Sequence, residues 1–384
     1  MRNFSLIIFA VILFASCDNA KNAKEIYWST VADSSSKSLV NNFWNTTYGY
    51  FNDASNSDSW HGHYWPQAHA LDVLVDAYLR SGDDFYKRHM EYWLIGVRAA
   101  NRNGWHNPYI DDMEWIGLAT LRAYQATGNK NFLQACMEVW DGTDDDMTNE
   151  RASFGIKRAW TDDGGGGLFW ESNRNRHSKN ACSNGPAALL AANLYHEFGK
   201  TEDKEWAIKI YTWLKNALFD TETGAVYDNL NTRTDRIGPR VFTYNTGTFL
   251  GSAVELYKIT GDKTYINDAM KAADYTISVL IDSDDNLLRN EGSGDSGLFK
   301  GIFIRNFTQL ILSDGISEEV RQHYIDFMEH NGESLWNEGT KKESVLFGPY
   351  WKTAPVDTTR INPQLSGCML MEALALLGKE NKLQ

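Results

Sequence analysis

The chain has 384 residues, 42% apolar and 23% charged, which is ample for a packed core and argues against wholesale disorder. Its net charge of −13 excludes a sequence-independent grip on nucleic acid, which needs a basic surface. Aromatic residues are in surplus, 14 Trp, 18 Tyr and 18 Phe against 7 Pro, and suggest a helical scaffold with flat apolar faces to spare.

The N-terminus reads as an address. Met1-Arg2 precedes an apolar run from Leu6 to Phe14, too short to span a bilayer, followed by Ala15-Ser16-Cys17 and a polar stretch from Asp18 to Lys24. This pattern resembles a bacterial lipoprotein signal. It implies a signal peptide over 1–16, lipidation of Cys17, a flexible tether over 17–36 and one folded domain over 37–380. The expectation is an exported protein anchored to the membrane of the cell envelope by lipid, on the periplasmic or surface face of an outer membrane. The other cysteines, Cys136, Cys182 and Cys368, are odd in number and lack metal-ligand spacing, so no disulfide framework is implied.

From there helical periodicity runs almost throughout. Helices are expected near 35–48, 65–80, 84–100, 111–127, 130–140, 181–198, 203–218, 245–260, 263–281, 299–312, 317–333 and 362–377. One punctuation recurs: Tyr78, Tyr124, Tyr195 and Tyr257 each precede a glycine (Gly82, Gly128, Gly199, Gly261), then a polar cap and another amphipathic helix. Twelve helices make six hairpins with short turns at one end and long polar or aromatic loops at the other. The expected fold is all-α, a single-domain (α/α)6 barrel with function at the looped end. An open solenoid is the alternative.

Several adjacent acidic pairs, such as Asp83-Asp84 and Asp284-Asp285, sit in turns or caps. Asp111-Asp112 differs, flanked by Pro108-Tyr109-Ile110 and Met113-Glu114-Trp115. Two like charges among apolar groups are costly, and burial raises at least one pKa. One protonated and one ionised carboxyl is what glycosidic cleavage requires. An acidic helix N-cap explains the pair equally well from local sequence alone.

The segment Tyr109–Trp115 resembles the catalytic motif of glycoside hydrolase family 76, the endo-α-1,6-mannanases. The similarity extends over Tyr64–Ala68, Gly165–Trp170, Lys179–Pro186, Tyr244–Gly247 and Leu298–Phe303, in order. The resemblance implies an (α/α)6 barrel, retention of anomeric configuration, Asp111 as nucleophile and Asp112 as acid/base. It also implies α-1,6-linked mannan or manno-oligosaccharide as the partner. No cofactor or metal is needed by two carboxylates, and a monomer is the default. Competing readings are an exo-acting mannosidase, a polysaccharide lyase and a lipid-anchored glycan-binding protein.

The motif blocks fall at the starts of alternate helices, whose N-termini should converge on one mouth. Trp65, Trp115, Trp170 and Tyr244 are candidates to stack on sugar rings, against core packing as the alternative. Gln67, Asn180, Asn184 and Asn245 offer donors and acceptors to sugar hydroxyls, or caps to helices. Lys300 and Arg305 would bind hydroxyls or hold Asp111 ionised, or else form ordinary salt bridges. Gly164–Gly167 lacks the Lys-Ser/Thr of a phosphate loop and is expected to approach a ligand or form a mobile rim. His61, His63 and His69 lack an acidic third ligand for a metal.

Overall fold

The computed structural model describes residues 4–60, 64–143, 155–172 and 176–383, with side chains from residue 23 onward. Twelve α-helices are found among them: α1 (Phe4–Phe43), α2 (Trp65–Ser81), α3 (Asp84–Ala100), α4 (Ile110–Thr127), α5 (Lys130–Trp140), α6 (Ala181–Phe198), α7 (Thr201–Leu218), α8 (Thr243–Thr260), α9 (Lys263–Val279), α10 (Phe299–Leu312), α11 (Glu318–Asn337) and α12 (Ile361–Lys379). The even-numbered helices pack each on the next, and α12 packs back on α2, so six inner helices close a ring. The odd-numbered helices lie outside it. The inner helices are buried nearly all round, whereas α3, α5 and α9 bury one face only. The result is an (α/α)6 barrel in which the first helix, α1, pairs with the last, α12.

The recurring Tyr-x-x-x-Gly punctuation has a direct physical basis. Gly82, Gly128, Gly199 and Gly261 are left-handed, with φ between 67° and 71°, and each donates its N–H to the tyrosine carbonyl four residues back. Asp83, Asn129 and Asp262 then cap the following helix, each accepting from the N–H two residues ahead. These reversals after α2, α4, α6 and α8, with the Ser313–Ser317 turn after α10, make the inner helices run the same way, which puts their N-termini at one mouth. A Cβ at Gly128 would meet nothing within 4 Å, so Gly128→Ala tests conformation alone. It is expected to lower unfolding stability by about 1 kcal/mol in urea titration and leave turnover unchanged.

The domain begins earlier than residue 37. Trp28, Val31, Ala32, Ser35 and Leu39 share one buried face of α1. Ser36 donates to Glu372 at 2.6 Å, and Glu372 also receives Arg80 at 2.9 Å. A stretch read as tether is therefore part of the outer wall, with Ser35 and Ser36 buried and Ser36 bonded to the distant α12. The first helix also stops at Phe43, short of 48. The Asn45 side chain accepts the N–H groups of Thr47 and Tyr48, and Gly49 has φ 72°, which turns the chain into a small hairpin of β1 (Trp44–Asn45) and β2 (Tyr50–Phe51). Residues 1–3, the side chains of 4–22, including Cys17, and His61–His63 lie outside the described part. Among the described residues no helix is long and apolar enough to cross a membrane.

Around the mouth the long loops carry β3 (Ser178–Asn180), β4 (Tyr227–Asn231) and β5 (Arg236–Val241), an antiparallel sheet in that order. Amide side chains near the start of inner helices pin the segments that precede them. Gln67 bonds both backbone groups of Phe51, Asn184 both of Leu168, and Gln364 the N–H of Phe347 and the carbonyl of Val345. Gln67 and Asn184 are accordingly buried and committed to backbone, not turned to a ligand.

Candidate active site

Asp111 and Asp112 occupy the first turn of α4 at the mouth, both half-buried. The indole Nε1 of Trp170 donates to Asp111 Oδ2 at 3.3 Å. Trp170 is held there by its own backbone, which accepts from Ile110 N–H at 2.9 Å and donates to Ser178 at 2.8 Å. Burial pushes Asp111 up to about 6, opposed by hydrogen bonds from the Cys182 thiol, from Trp170 and from backbone N–H groups of the helix start. Asp112 is pushed well above the carboxylate range, first by burial and then by the charges of Asp111 and Asp295, with only Asn107 bonding against it. The difference in hydrogen bonding orders the pair: Asp111 ionises first while Asp112 keeps its proton. A third carboxyl, Glu114, is fully buried without a hydrogen-bond partner, and burial holds it protonated too.

An aromatic wall surrounds the pair. Tyr109 packs on Trp170 with centroids 5.0 Å apart; Tyr244 stacks on Phe299 at 3.8 Å and 6°, and Phe299 also meets Phe242 and Trp65. The Trp65 indole donates to Asp295 at 3.3 Å. The mouth continues into a cavity of about 560 Å³ lined by Asp53, Asn56, Asp295, Arg360 and Asn362. Trp115 is 4% exposed and lies one turn below Asp111 against His69, forming floor instead of wall.

The structure thus brings Trp65, Trp170 and Tyr244 to the pair. Asn180 is half-buried at the N-cap of α6, where it accepts from the Ser178 hydroxyl at 2.6 Å. Asn245 is fully buried and donates to Asp228 at 3.2 Å, close to the Cys182–Tyr244 contact that borders Asp111. Two cations go elsewhere. Lys300 donates to the Pro349 carbonyl at 2.8 Å and lies 4.2 Å over the Trp351 ring, and burial drops it to about 7. Arg305 forms a fork on Asp76 inside the barrel, at 2.7 and 3.2 Å. The glycine run divides: Gly164 and Gly165 are exposed at the rim, whereas Gly166 and Gly167 are buried. The Gly166 carbonyl accepts from fully buried Lys179, which also donates to the carbonyls of Thr161 and Asp163, and a Cβ on Gly167 would strike Trp213 at 2.6 Å. Among the described residues no group of three or more His, Cys, Asp or Glu is placed to hold a metal.

Tyr109, Cys182 and Phe299 sat inside the recognised motif blocks without being singled out. Asn107, Asp228, Phe242 and Asp295 stand in loops or a rim strand, where no periodicity marks them. Replacing Trp170 by Phe keeps the ring and removes the donor to Asp111. The expected result is a fall in kcat/KM of about 10- to 100-fold, the worth of a hydrogen bond to a charged group. The acid limb of the pH–rate profile should also move to higher pH, because that bond favours the ionised form.

The sequence model of glycosyl hydrolase family 76 matches residues 27–384. An α-1,6-mannanase of Salegentibacter sp. HEL1_6, inactivated by replacing two adjacent aspartates with alanine and solved with α-1,6-mannotetrose, superposes with a TM-score of 0.84 at 38% identity, over 91% of this chain and 99% of that one. A Listeria innocua protein superposes with a TM-score of 0.81 at 31% identity, over 92% and 98%. Among curated relatives, the mannan endo-1,6-alpha-mannosidase DCW1 of Eremothecium gossypii is 25% identical over 192 residues, 48% of this chain and 36% of that protein. The chain spans about a third of the length of the curated relatives it matches. The reach of the family match and the likeness along nearly the full length of the Salegentibacter enzyme establish that this chain belongs to glycosyl hydrolase family 76.

Proposed function

We propose that the protein is an endo-acting α-1,6-mannanase that cleaves with retention of configuration. The observation that carries this reading is the unequal surroundings of two adjacent carboxyls in an aromatic-walled mouth, Asp111 accepting from the Trp170 indole and Asp112 lacking that donor. Asp111, the carboxylate, attacks the anomeric carbon while Asp112 gives its proton to the departing glycosidic oxygen. The glycosyl ester that forms leaves Asp111 neutral. Asp112, now ionised and relieved of its like-charged neighbour, takes a proton from water, which attacks the ester and releases the sugar. The α-1,6-mannotetrose bound to the Salegentibacter enzyme and the inactivity of its variant lacking two adjacent aspartates support a mannan substrate and an aspartate pair at the chemistry. A lyase acting on acidic sugars would instead gather several cations at the cleft, whereas Lys300 and Arg305 turn away and leave Arg360 as the one cation among the described residues lining the mouth cavity.

Digestion of linear α-1,6-mannan, with NMR of the first-formed anomer, tests the proposal. Oligosaccharides released as the α-anomer are expected. A β-anomer first would overturn retention, and an absence of oligosaccharides would overturn endo action. We further propose export and lipid anchoring through Cys17; Cys17→Ser should then move the enzyme from the membrane fraction to the soluble one.

A further inference from the structure

The barrel axis is divided. Below the Asp111–Asp112 pair, Trp65, His69 and Trp115 pack in succession, the first contact edge-on and the second tilted, with centroids 5.5 and 4.9 Å apart, across the inside of the inner ring. Beneath them a second cavity of about 360 Å³ reaches the far ends of the inner helices, where Leu79, Gln125 and Lys379 line it. That size lies within the range of small-molecule sites and is many times the roughly 30 Å³ share of one water.

The lining has a definite chemical character. Asp72 and Asp76 meet Arg122 and Arg305, and Glu372 meets Arg80. With Glu255 and Lys379 the cavity has four carboxylates and four cations, hence no net charge. Gln125, Asn193 and Gln309 add amides that both donate and accept. The wall between them is aliphatic, from Leu118, Leu121, Ile302 and Met369. At the inner end His69 is 3% exposed, and neither ring nitrogen has a hydrogen-bond partner, Nδ1 lying 3.8 Å from Asp72 Oδ2. Burial lowers His69 to about 3, so the ring is neutral, with one donor and one acceptor to satisfy. Arg305, also lining the cavity, has a buried Nε that makes no hydrogen bond and lies 3.9 Å from Asp72 Oδ2. Buried polar atoms left unpaired are costly, and a ligand carrying hydroxyls would satisfy them.

We propose that this rear cavity binds a neutral polyhydroxylated molecule of about one pyranose ring, separately from the catalytic mouth. Charge balance disfavours an ion. The mixture of apolar wall and two-way hydrogen-bonding groups suits a sugar, whose ring has C–H faces and hydroxyl edges.

The test uses the full chain carrying Asp112→Asn, with free mannose as the probe followed by ligand-observed NMR. The mouth is first saturated with α-1,6-mannotetraose. Mannose should still bind saturably, and Leu189→Trp or Leu376→Trp, two half-buried positions that fill the cavity, should each weaken it at least tenfold while tetraose binding is unchanged. Two filling variants keep the test readable if one fails to fold. Loss of the mannose signal on saturating the mouth, or equal mannose affinity in both filled variants, would overturn the proposal. If tetraose does not bind, the reading of the mouth fails instead, and the filled variants still report on the rear cavity.

Discussion

Replacing Asp111 by Asn is expected to lower kcat on α-1,6-mannan by about 10⁴-fold, because the attacking carboxylate is gone, while the affinity for oligosaccharide is kept. Asn is isosteric and still accepts from Trp170, so the aromatic wall stays in place. Asp112→Asn should cost roughly 10²- to 10⁴-fold, the usual contribution of a general acid, and much less on an activated aryl mannoside whose leaving group needs no proton. The alkaline limb of the pH profile should vanish with Asp112, since that limb records loss of its proton. The acid limb, near 6, should persist because it records protonation of Asp111. The double variant should be barely worse than Asp111→Asn alone, as groups acting on one transition state are not additive. Added azide separates the roles. In the Asp111 variant it enters from the vacated face and gives the β-mannosyl azide; in the Asp112 variant it attacks the ester and gives the α-product. Reversed products would exchange the two assignments.

The sequence carried the barrel because its determinants are local. Each Tyr-x-x-x-Gly unit closes its own backbone bond and needs nothing distant, so helix ends at Gly82, Gly128, Gly199 and Gly261 were readable to a residue. The Asp111–Asp112 pair was readable as chemistry, for two acids among apolar neighbours demand an explanation wherever they fall. What was not readable was the partner of each polar side chain. Gln67 and Asn184 have the right chemistry for sugar hydroxyls, yet bond to backbone 16 residues away. Lys300 and Arg305 lie on α10, on faces whose surroundings depend on loop 340–350 and on α2. The start of α1 was obscured in the same way. Ser34-Ser35-Ser36 looks like linker until Glu372 and the bundle around Trp28 are in place.

That dependence on distant partners makes the charged girdle of the barrel interior the place where one substitution should harm folding most. Asp76 on α2 receives Arg122 from the neighbouring α4 at 2.5 Å and the fork of Arg305 from α10, which lies beyond α12 in the ring, so it ties together three inner helices. The two guanidiniums hold its carboxyl below the usual range despite burial. Asp76→Ala removes one negative charge and leaves two cations facing each other, with Asp72 the nearest remaining carboxylate. Stranding a buried charge in this way costs about 3–5 kcal/mol, and the figure expected here is near the lower end because Arg122 keeps partial exposure. A fall of that size should appear in urea unfolding at neutral pH. Adding Arg305→Met to Asp76→Ala should recover part of the loss, since the second change removes the cation that the first left unpaired. If the double variant is as unstable as the two single losses summed, Asp76 and Arg305 do not act as a pair. If Asp76→Ala unfolds like the parent, the Asp76 ion pairs do not hold the ring, and closure rests on apolar packing and on the Arg80–Glu372 pair between α2 and α12.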